Sequence, residues 1–414
     1  MINQMKSIGQ VKEHLPNIFW SNLNLGVITV SGLTISVVFV RFAGKELYGQ
    51  YLFVLAIFGL LSIVSIPGVR TVVFRTTAQD YDGVYRKATA FSFLWGVLGI
   101  PLLLITGVFF YLFRAKILGI SLVSCALLFP FVTSLQTWVQ FLKGRSGFKQ
   151  LTINNSAKLS VKLVAITLSI ILSKNIIVIL LTCLLVESGF NILYHSKILS
   201  SLRNDELDMG WKRQSYALTI MDLSAMVFGQ VDIILIAALL PIGQVAIYGL
   251  VMKLGNVFLQ AVKSTVDVIL PKLYKSEKIN VGYFYKFFLL SFLIPIVLYP
   301  IIRYLVLFLY GQDYSELVFF SQVYLTIVPI FFLHSIAMNF MVKHKLNKEI
   351  NISKIVAIIA VLALYSILIP LYGVWGGIIS SMLYFIIQLV INLYLLRVGK
   401  SKYSRPSEDV QVIL

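Results

Sequence analysis

The sequence predicts an all-α integral membrane protein with twelve transmembrane helices. Of its 414 residues, 58% are hydrophobic and only 13% are charged, and the mean hydropathy is +0.89. Runs of about 18 or more mostly apolar residues recur along the whole chain, which is typical of membrane-spanning helices. The connections between these runs are short, so the sequence leaves no room for a large extramembrane catalytic domain.

Twelve predicted spans follow from these runs, and they are numbered here in chain order. They are 18–40, 48–66, 88–112, 117–141, 156–173, 176–195, 217–240, 246–270, 284–309, 318–342, 352–369 and 374–396. Lys6 and Lys12 precede the first span, but no short apolar core with a small-residue cleavage site follows them. Span 1 is therefore expected to stay in the protein as a helix.

The charge distribution predicts a membrane surface and no nucleic-acid partner. The net charge is +18, but most basic residues lie in short loops between apolar spans, where they would meet anionic lipid headgroups. Cys125 and Cys183 fall inside spans, where small buried apolar residues are the ordinary interpretation. With no CxxC pair or Cys/His cluster in the sequence, no metal or other cofactor is expected.

The basic residues also predict the orientation. The connections after odd-numbered spans hold only five of them: Arg41, Lys45, Arg114, Lys116 and Lys174. Most of the others lie before span 1, after even-numbered spans or after span 12. By the positive-inside rule, both termini are expected to be cytoplasmic.

The polar residues that interrupt span 8 fall on one side of the predicted helix. Lys253, Asn256, Gln260, Lys263 and Asp267 are three or four residues apart, so they share an arc of roughly 80°. Charged side chains at bilayer depth are costly unless they face protein or water. The stripe predicts either the lining of a solute pathway or a polar seam between packed helices, and the charges favour the pathway.

Other spans carry polar residues with two interpretations each. Asn24 in span 1 and Gln388 in span 12 are as well suited to hydrogen bonding between helices as to lining a cavity. Lys162 in span 5 lies about two turns inside the membrane, where it faces a cavity or extends toward the cytoplasmic interface.

Four acids lie within spans, and each is a candidate proton or sodium site or the partner of a lysine. They are Glu187, Asp222, Asp232 and Asp267. Asp232 is the best candidate for ion coupling, because it lies mid-span without a basic neighbour in the sequence. The sequence contains no GxxxxGK[ST] loop, so energy is expected from an ion gradient, the membrane potential or consumption of substrate on the far side.

Three sequence matches about 200 residues apart predict a parallel internal repeat. Tyr48-Gly49 after span 1 returns as Tyr248-Gly249 after span 7. Lys143 and Arg145 return as Lys343 and Lys345, and Asn155-Ser-Ala-Lys158 returns as Asn351-Ile-Ser-Lys354. The repeat predicts two six-helix lobes, 1–199 and 216–414, joined by a cytoplasmic linker at 200–215.

Short motifs in the same order resemble those of a known family. Arg41-Phe-Ala-Gly-Lys-Glu-Leu-Tyr-Gly49 is similar to the RxxGxxxYG signature of polysaccharide repeat-unit flippases. Val231-Asp232 followed by Tyr248-Gly249, Leu270-Pro271 after span 8, and Leu309-Tyr-Gly311 after span 9 also resemble that family. Nearly the whole chain thus resembles the O-antigen and capsule (Wzx-type) flippases of the multidrug/oligosaccharidyl-lipid/polysaccharide exporter (MOP) superfamily.

The resemblance implies two lobes around a central cavity in a bacterial inner membrane. It implies an undecaprenyl-pyrophosphate-linked oligosaccharide as cargo, alternating access from the cytoplasmic to the periplasmic leaflet, and a repeat-unit polymerase as downstream partner. Lysine and arginine are natural partners of a pyrophosphate. Lys162, Lys253 and Lys263 would meet it in the cavity. Arg41, Arg70 and Arg75 would lie at the mouths, and Asn24, Asn256, Gln260 and Gln388 would bind sugar hydroxyls.

Two other functions remain open from the sequence. A drug/cation antiporter of the same superfamily would need an acidic cavity, whereas the stripe of span 8 holds two lysines and one acid. A membrane glycosyltransferase or polymerase would need long loops to hold a sugar-transfer site. Span 2, the repeat partner of span 8, has no charge between Tyr48 and Ile66, so the cationic residues are divided unevenly between the lobes.

Overall fold

The structure is a computed structural model built almost entirely of helices. It describes residues 2–275, 281–344 and 346–403, and the side chains of residues 16–223, 226–266, 288–344, 346 and 348–397. The described residues form seventeen α-helices joined by short 3₁₀ or π turns and contain no β-strand. The predicted all-α class is confirmed.

By the contacts between its residues, the chain divides into two compact units, Met1–Ala237 and Ala238–Leu414. The helices of the first unit are α1 (Ile2–Val38), α2 (Gly44–Leu61), α3 (Gly68–Ala78), α4 (Gly83–Val97), α5 (Gly99–Phe113), α6 (Lys116–Cys125), α7 (Phe129–Thr133), α8 (Trp138–Gly144), α9 (Phe148–Ser173), α10 (Ile176–Leu199) and α11 (Trp211–Leu239). The boundary between units thus falls near the end of α11, while the division into lobes at 200–215 stays a prediction.

The second unit contains the remaining six helices. They are α12 (Ile242–Lys275), α13 (Val281–Tyr310), α14 (Glu316–Leu325), α15 (Val328–Lys343), α16 (Asn347–Tyr372) and α17 (Val374–Tyr403). Pro295 and Pro300 lie inside α13, and Pro370 lies in the last turn of α16.

The described helices make the chain a multi-pass membrane protein. By length and composition, ten helical stretches are long and apolar enough to cross a membrane, or eleven if the bent pair Trp211–Leu223 and Met226–Leu239 is one span. The predicted count of twelve differs because Pro16–Ser65, a single stretch of 50 residues, contains both span 1 and span 2.

This long stretch is interrupted where the Arg41 motif lies. A π turn, Phe39–Ala43, follows α1, and Gly44 then adopts φ 84° and ψ 172°. That backbone conformation lies outside the helical region and is nearly restricted to glycine. The helix axis therefore changes direction at Gly44, which separates the two predicted spans.

The first unit is held together by pairs of neighbouring helices and by one apolar cluster. α9 packs against α1 and α10, and α5 packs against α6. Val72, Tyr85, Trp138 and Leu151 are fully or almost fully buried members of a cluster that α3, α4, α8, α9, α10 and the start of α11 build together. Side chains of α11 therefore complete the core of the first unit.

Two long helices, one in each unit, have the same length and a similar neighbour. α9 and α16 are both 26 residues long, and each packs against the helix that follows it. Each unit also buries a tyrosine hydroxyl against that following helix. In the first unit Tyr51 Oη lies 3.6 Å from Cys183 Sγ, and in the second Tyr248 Oη lies 2.8 Å from Ser381 Oγ.

The polar segment between α10 and α11 is fixed to the first unit. Arg145, just after α8, donates to Asp80 and, at 2.6 Å, to Oδ2 of Asp82. The same Oδ2 accepts a hydrogen bond from the backbone N–H of Arg203 at 2.9 Å, and the amide of Asn204 donates to the Asp80 carbonyl at 2.7 Å. Residues 200–210 are called the docked linker below.

Candidate functional site in the membrane helices

Two lysines and one glutamate form a charged cluster inside the first unit. Lys158 and Lys162 lie one turn apart on α9, so they project from the same face toward α10. Lys158 Nζ donates to Oε1 of Glu187 at 2.6 Å, and Lys162 Nζ donates to Oε2 at 3.0 Å. One carboxylate thus serves two ammonium groups, and the cluster carries a net charge of +1.

The three side chains differ in how much of each is exposed. The exposed fractions are 5% for Lys158, 12% for Glu187 and 17% for Lys162. Charges at this depth are retained only when they are paired and hydrogen-bonded. Lys162 is the most accessible member, so it is the one that a ligand would reach first.

Buried aromatic and amide groups hold Lys158 in place. Its Nζ lies 5.6 Å from the ring centroid of Trp138, close enough for a cation–π interaction. Trp138 Nε1 donates to Oδ1 of Asn191 at 3.1 Å, and Asn191 Nδ2 donates to the Phe131 carbonyl at 3.2 Å. The cluster therefore rests on a hydrogen-bonded support that fixes its position.

From the sequence, Lys162 was a candidate for cargo binding, and Glu187 was a candidate ion site or the partner of a lysine. Lys158, Trp138 and Asn191 were not among the predicted site residues. The structure brings Lys162 and Glu187 together as an ion pair. The sequence did contain one indication of the cluster. Lys158 and Lys162 are four residues apart, so both cations lie on one face of a helix, and they require an acid on a neighbouring helix. Only the packing of α9 on α10 identifies that acid.

The polar stripe predicted in span 8 lies on α12, and its side chains are more exposed than those of a seam between packed helices would be. Asn256, Gln260 and Lys263 are exposed, and Lys253 is half-buried. A seam between helices would bury all of them, so their exposure favours a polar face open to solvent or ligand. The side chain of Asp267 lies outside the described residues.

Asn24 and Gln388 both lie in packed surroundings. Asn24 Oδ1 accepts a hydrogen bond from Nδ2 of Asn155 at 2.8 Å, which joins α1 to α9. Gln388 is buried in α17. Of the two interpretations that the sequence left open, these positions favour contact between helices, and sugar binding by either residue stays a prediction.

The other predicted acids occupy different surroundings. Asp232 is half-buried on α11, and its Oδ1 accepts a hydrogen bond from the backbone N–H of Ile233 at 2.7 Å. Asp222 is exposed. The structure places neither of them in the lysine–glutamate cluster, so ion coupling by these residues remains a prediction.

The three predicted mouth arginines lie in the first unit. Arg41 is exposed within the π turn, and Arg75 is exposed on α3. Arg70, also on α3, is half-buried and donates from Nη2 to the Thr133 carbonyl at 2.9 Å. Burial lowers the pKa of the Arg70 guanidinium from its usual value. Arg70 therefore ties α3 to α7, which is a structural contact that the sequence did not indicate.

Solved structures of membrane transporters share this architecture. The lipid II flippase MurJ, in its inward closed conformation, matches with a TM-score of 0.68 and 14% identity, over 92% of this chain and 87% of that protein. An inward-facing multidrug resistance MATE family transporter of the MOP superfamily matches with a TM-score of 0.70 and 12% identity, over 93% of this chain and 100% of that one.

A third structure extends the comparison. It is a MOP superfamily transporter from Pyrococcus furiosus, described as having a binding pocket of reverse polarity, with a TM-score of 0.62 and 13% identity over 93% of this chain and 95% of that one. The chain has the fold of MOP superfamily transporters. No family model matches the sequence, and no curated protein matches it.

Proposed function

We propose that the protein is a flippase for an oligosaccharide linked to undecaprenyl pyrophosphate. In this proposal it moves an O-antigen or capsule repeat unit from the cytoplasmic to the periplasmic leaflet of a bacterial inner membrane by alternating access. A repeat-unit polymerase would then consume the product. The fold supports a transport role, and one of the structures that share it is a lipid II flippase.

The observation that carries the proposal is the excess of cations within the membrane helices. The cluster of Lys158, Lys162 and Glu187 keeps a net charge of +1, and the stripe of α12 holds two lysines, Lys253 and Lys263, against one acid, Asp267. A buried positive charge stabilises an anionic cargo and repels a cationic one. A pyrophosphate carries at least two negative charges, so this excess favours a lipid pyrophosphate over the cationic cargo of a drug/cation antiporter.

A flipping assay in vesicles tests the proposal. Purified protein is reconstituted, a short lipid-linked oligosaccharide is loaded in one leaflet, and its appearance in the other leaflet is followed. We expect flipping to require the protein and to fall in Lys162→Ala and in Lys253→Ala/Lys263→Ala. Lys116→Ala, which removes an exposed lysine at the start of α6, is the matched control and should flip normally.

Three results would contradict the proposal or part of it. If the Lys253→Ala/Lys263→Ala variant inserts and flips normally, these two lysines of α12 do not belong to the cargo site. Export of a cationic dye without any lipid flipping would instead favour the antiporter. Extension of a glycan by purified protein and a sugar donor would revive the glycosyltransferase alternative.

Ion coupling is a separate proposal that rests on Asp232. Glu187 already serves two lysines, so a proton or sodium ion would have to compete with both ammonium groups there. Asp232 lies half-buried on a different helix, α11. We expect Asp232→Asn to abolish the stimulation of flipping by an ion gradient while cargo binding persists, measured by flipping with and without the gradient and by cargo binding in detergent. Loss of folding in this variant would contradict the proposal and assign Asp232 a structural role.

A further inference from the structure

A cavity of about 300 Å³ lies where α8, α9 and α10 meet the docked linker. Its apolar wall comes from the core of the first unit and includes Phe141, Leu142 and Ile198. Three basic residues line it, Arg145, Lys197 and Arg203, and of these Arg145 is already ion-paired with Asp80 and Asp82. Among the lining residues that the structure describes, no side chain is acidic.

The three basic side chains come from three different segments. Arg145 follows α8 and is held in place by its ion pairs with Asp80 and Asp82. Lys197 lies in the last turn of α10, and Arg203 lies in the docked linker. Lys197 and Arg203 are both exposed, so they can turn toward a ligand without breaking a buried contact.

The start of α9 reinforces the positive potential. Gly147 and Gln150 line the cavity, and α9 begins between them at Phe148. Gly147, at the N-cap, supplies no side-chain cap for the first-turn N–H groups. The positive end of a 26-residue helix dipole thus lies at a cavity that Lys197 and Arg203 also line.

We propose that this cavity binds a phosphate-bearing ligand, a phosphomonoester or a phosphodiester. The phosphate would lie among Arg145, Lys197 and Arg203, because charge-assisted hydrogen bonds from lysine and arginine are the strongest that a phosphate accepts. The apolar wall would contact a small organic group. The volume is at the lower end of the range for ligand pockets, which suits a lipid headgroup or a small soluble phosphate compound.

The proposed site is distinct from the lysine–glutamate cluster and does not depend on the transport activity. None of the lining residues belongs to that cluster. Ser201 and Arg203 belong to the docked linker, so a bound phosphate would join the linker to α8, α9 and α10. Binding should therefore stabilise the first unit and shield the linker.

Thermal unfolding of the full-length protein tests the site. In neutral detergent, glycerol phosphate and inorganic phosphate are titrated, with glycerol as the uncharged control. In nanodiscs, phosphatidylcholine is compared with the same lipid containing phosphatidylglycerol. We expect Tm to rise with a phosphate probe, and Lys197→Gln/Arg203→Gln to need about tenfold more of it for the same rise.

The matched control removes the same charge from the same end of the first unit. Lys87→Gln/Arg213→Gln changes two exposed basic residues that do not line the cavity, and it should respond like the wild type. A response to phosphatidylglycerol alone would identify a lipid headgroup, and a response to glycerol phosphate would identify a soluble ligand. The proposal would be overturned if no probe raised Tm, or if both double variants lost the rise in Tm to the same extent.

Limited proteolysis gives a second readout at the linker itself. Trypsin cleaves after Arg203, which is exposed in a segment that is neither helix nor strand. The phosphate probe that raises Tm should slow this cleavage in the wild type and should leave it unchanged in Lys197→Gln. Equal cleavage with and without that probe in the wild type would also overturn the proposal.

Discussion

At the scale of single residues, the charge of Glu187 decides whether two lysines can remain inside the first unit. Each of its two carboxylate oxygens accepts a hydrogen bond from one lysine ammonium group, so neither lysine has to lose its proton. Removing one partner of a buried ion pair costs more than the pair contributes, because the remaining charge keeps its desolvation penalty.

Glu187→Gln should therefore destabilise the protein strongly. We expect a loss of about 3–5 kcal/mol, the range for breaking a buried pair, measured as a fall in Tm in detergent. Glu46→Gln, which changes an exposed acid on α2, is the control and should have little effect.

An apolar replacement of the whole cluster separates stability from function. Lys158→Met/Lys162→Met/Glu187→Leu removes all three charges together, so it should fold with nearly normal stability while flipping is lost. Normal flipping by this folded variant would remove the cluster from the transport mechanism.

The sequence could not identify this cluster, although it contained every member. Helical spacing shows that Lys158 and Lys162 share a face, because neighbours on a helix are fixed by its period. The contact between α9 and α10 that brings Glu187 to them is tertiary, and no local pattern encodes which acid faces which base. Asp232 illustrates the same limit, since its position in α11 could be predicted and its surroundings could not.

At the scale of helices, the apolar runs predicted the positions of the spans well, because long apolar segments are required to cross a bilayer. The prediction missed α3, which carries Arg70 and Arg75 and is too short and polar to resemble a span. It also missed the 3₁₀ breaks at Ala126–Leu128 and Leu135–Thr137 within span 4. These breaks depend on packing that the sequence pattern does not show.

Two of the family-like motifs contain a glycine that the backbone requires. Gly44 has φ 84° and Gly311 has φ 93°, and each is followed directly by a new helical segment. Side chains other than hydrogen are strained in this region. Part of the resemblance therefore reflects how the chain turns between helices, independently of any cargo.

The close approach of α5 and α6 depends on Gly107 and Gly119. A Cβ atom on Gly119 would lie 2.5 Å from the Gly107 carbonyl oxygen and from the Tyr111 backbone nitrogen. Small residues allow such contact between membrane helices. Gly119→Ala should cost about 1–3 kcal/mol, because backbone atoms cannot move aside as a flexible side chain can.

Thermal unfolding in detergent checks this expectation against Gly26→Ala. A Cβ atom on Gly26 would meet nothing within 4 Å, so alanine there should leave Tm unchanged or raise it slightly through better helix propensity. Equal effects of the two substitutions would contradict the close packing of α5 on α6.

At the scale of the whole molecule, the docked linker changes how the connection between the two predicted lobes is understood. The sequence predicted a cytoplasmic linker at 200–215 and indicated no contact for it. Asp82 is fully buried and accepts from both Arg145 and the linker backbone, so the linker is part of the first unit.

Arg145→Gln should release the linker. The substitution removes the charge that pairs with Asp80 and Asp82, and trypsin should then cleave after Arg203 several times faster. The fragments are followed by gel and mass spectrometry. Arg75→Gln, which changes an exposed arginine on α3, should leave the rate unchanged, and an unchanged rate in Arg145→Gln would show that other contacts hold the linker.

The net charge of the lysine–glutamate cluster would couple the protein to the membrane voltage if a conformational change moved the cluster through the membrane field. One elementary charge that crosses the whole membrane field changes in energy by about 2.3 kcal/mol per 100 mV, which corresponds to roughly a fiftyfold change in population. If a conformational change carries the cluster through only part of the field, its energy changes by the same fraction of that value. A potential that is negative inside would then shift the equilibrium toward the conformation with the cluster nearer the cytoplasm before any cargo binds.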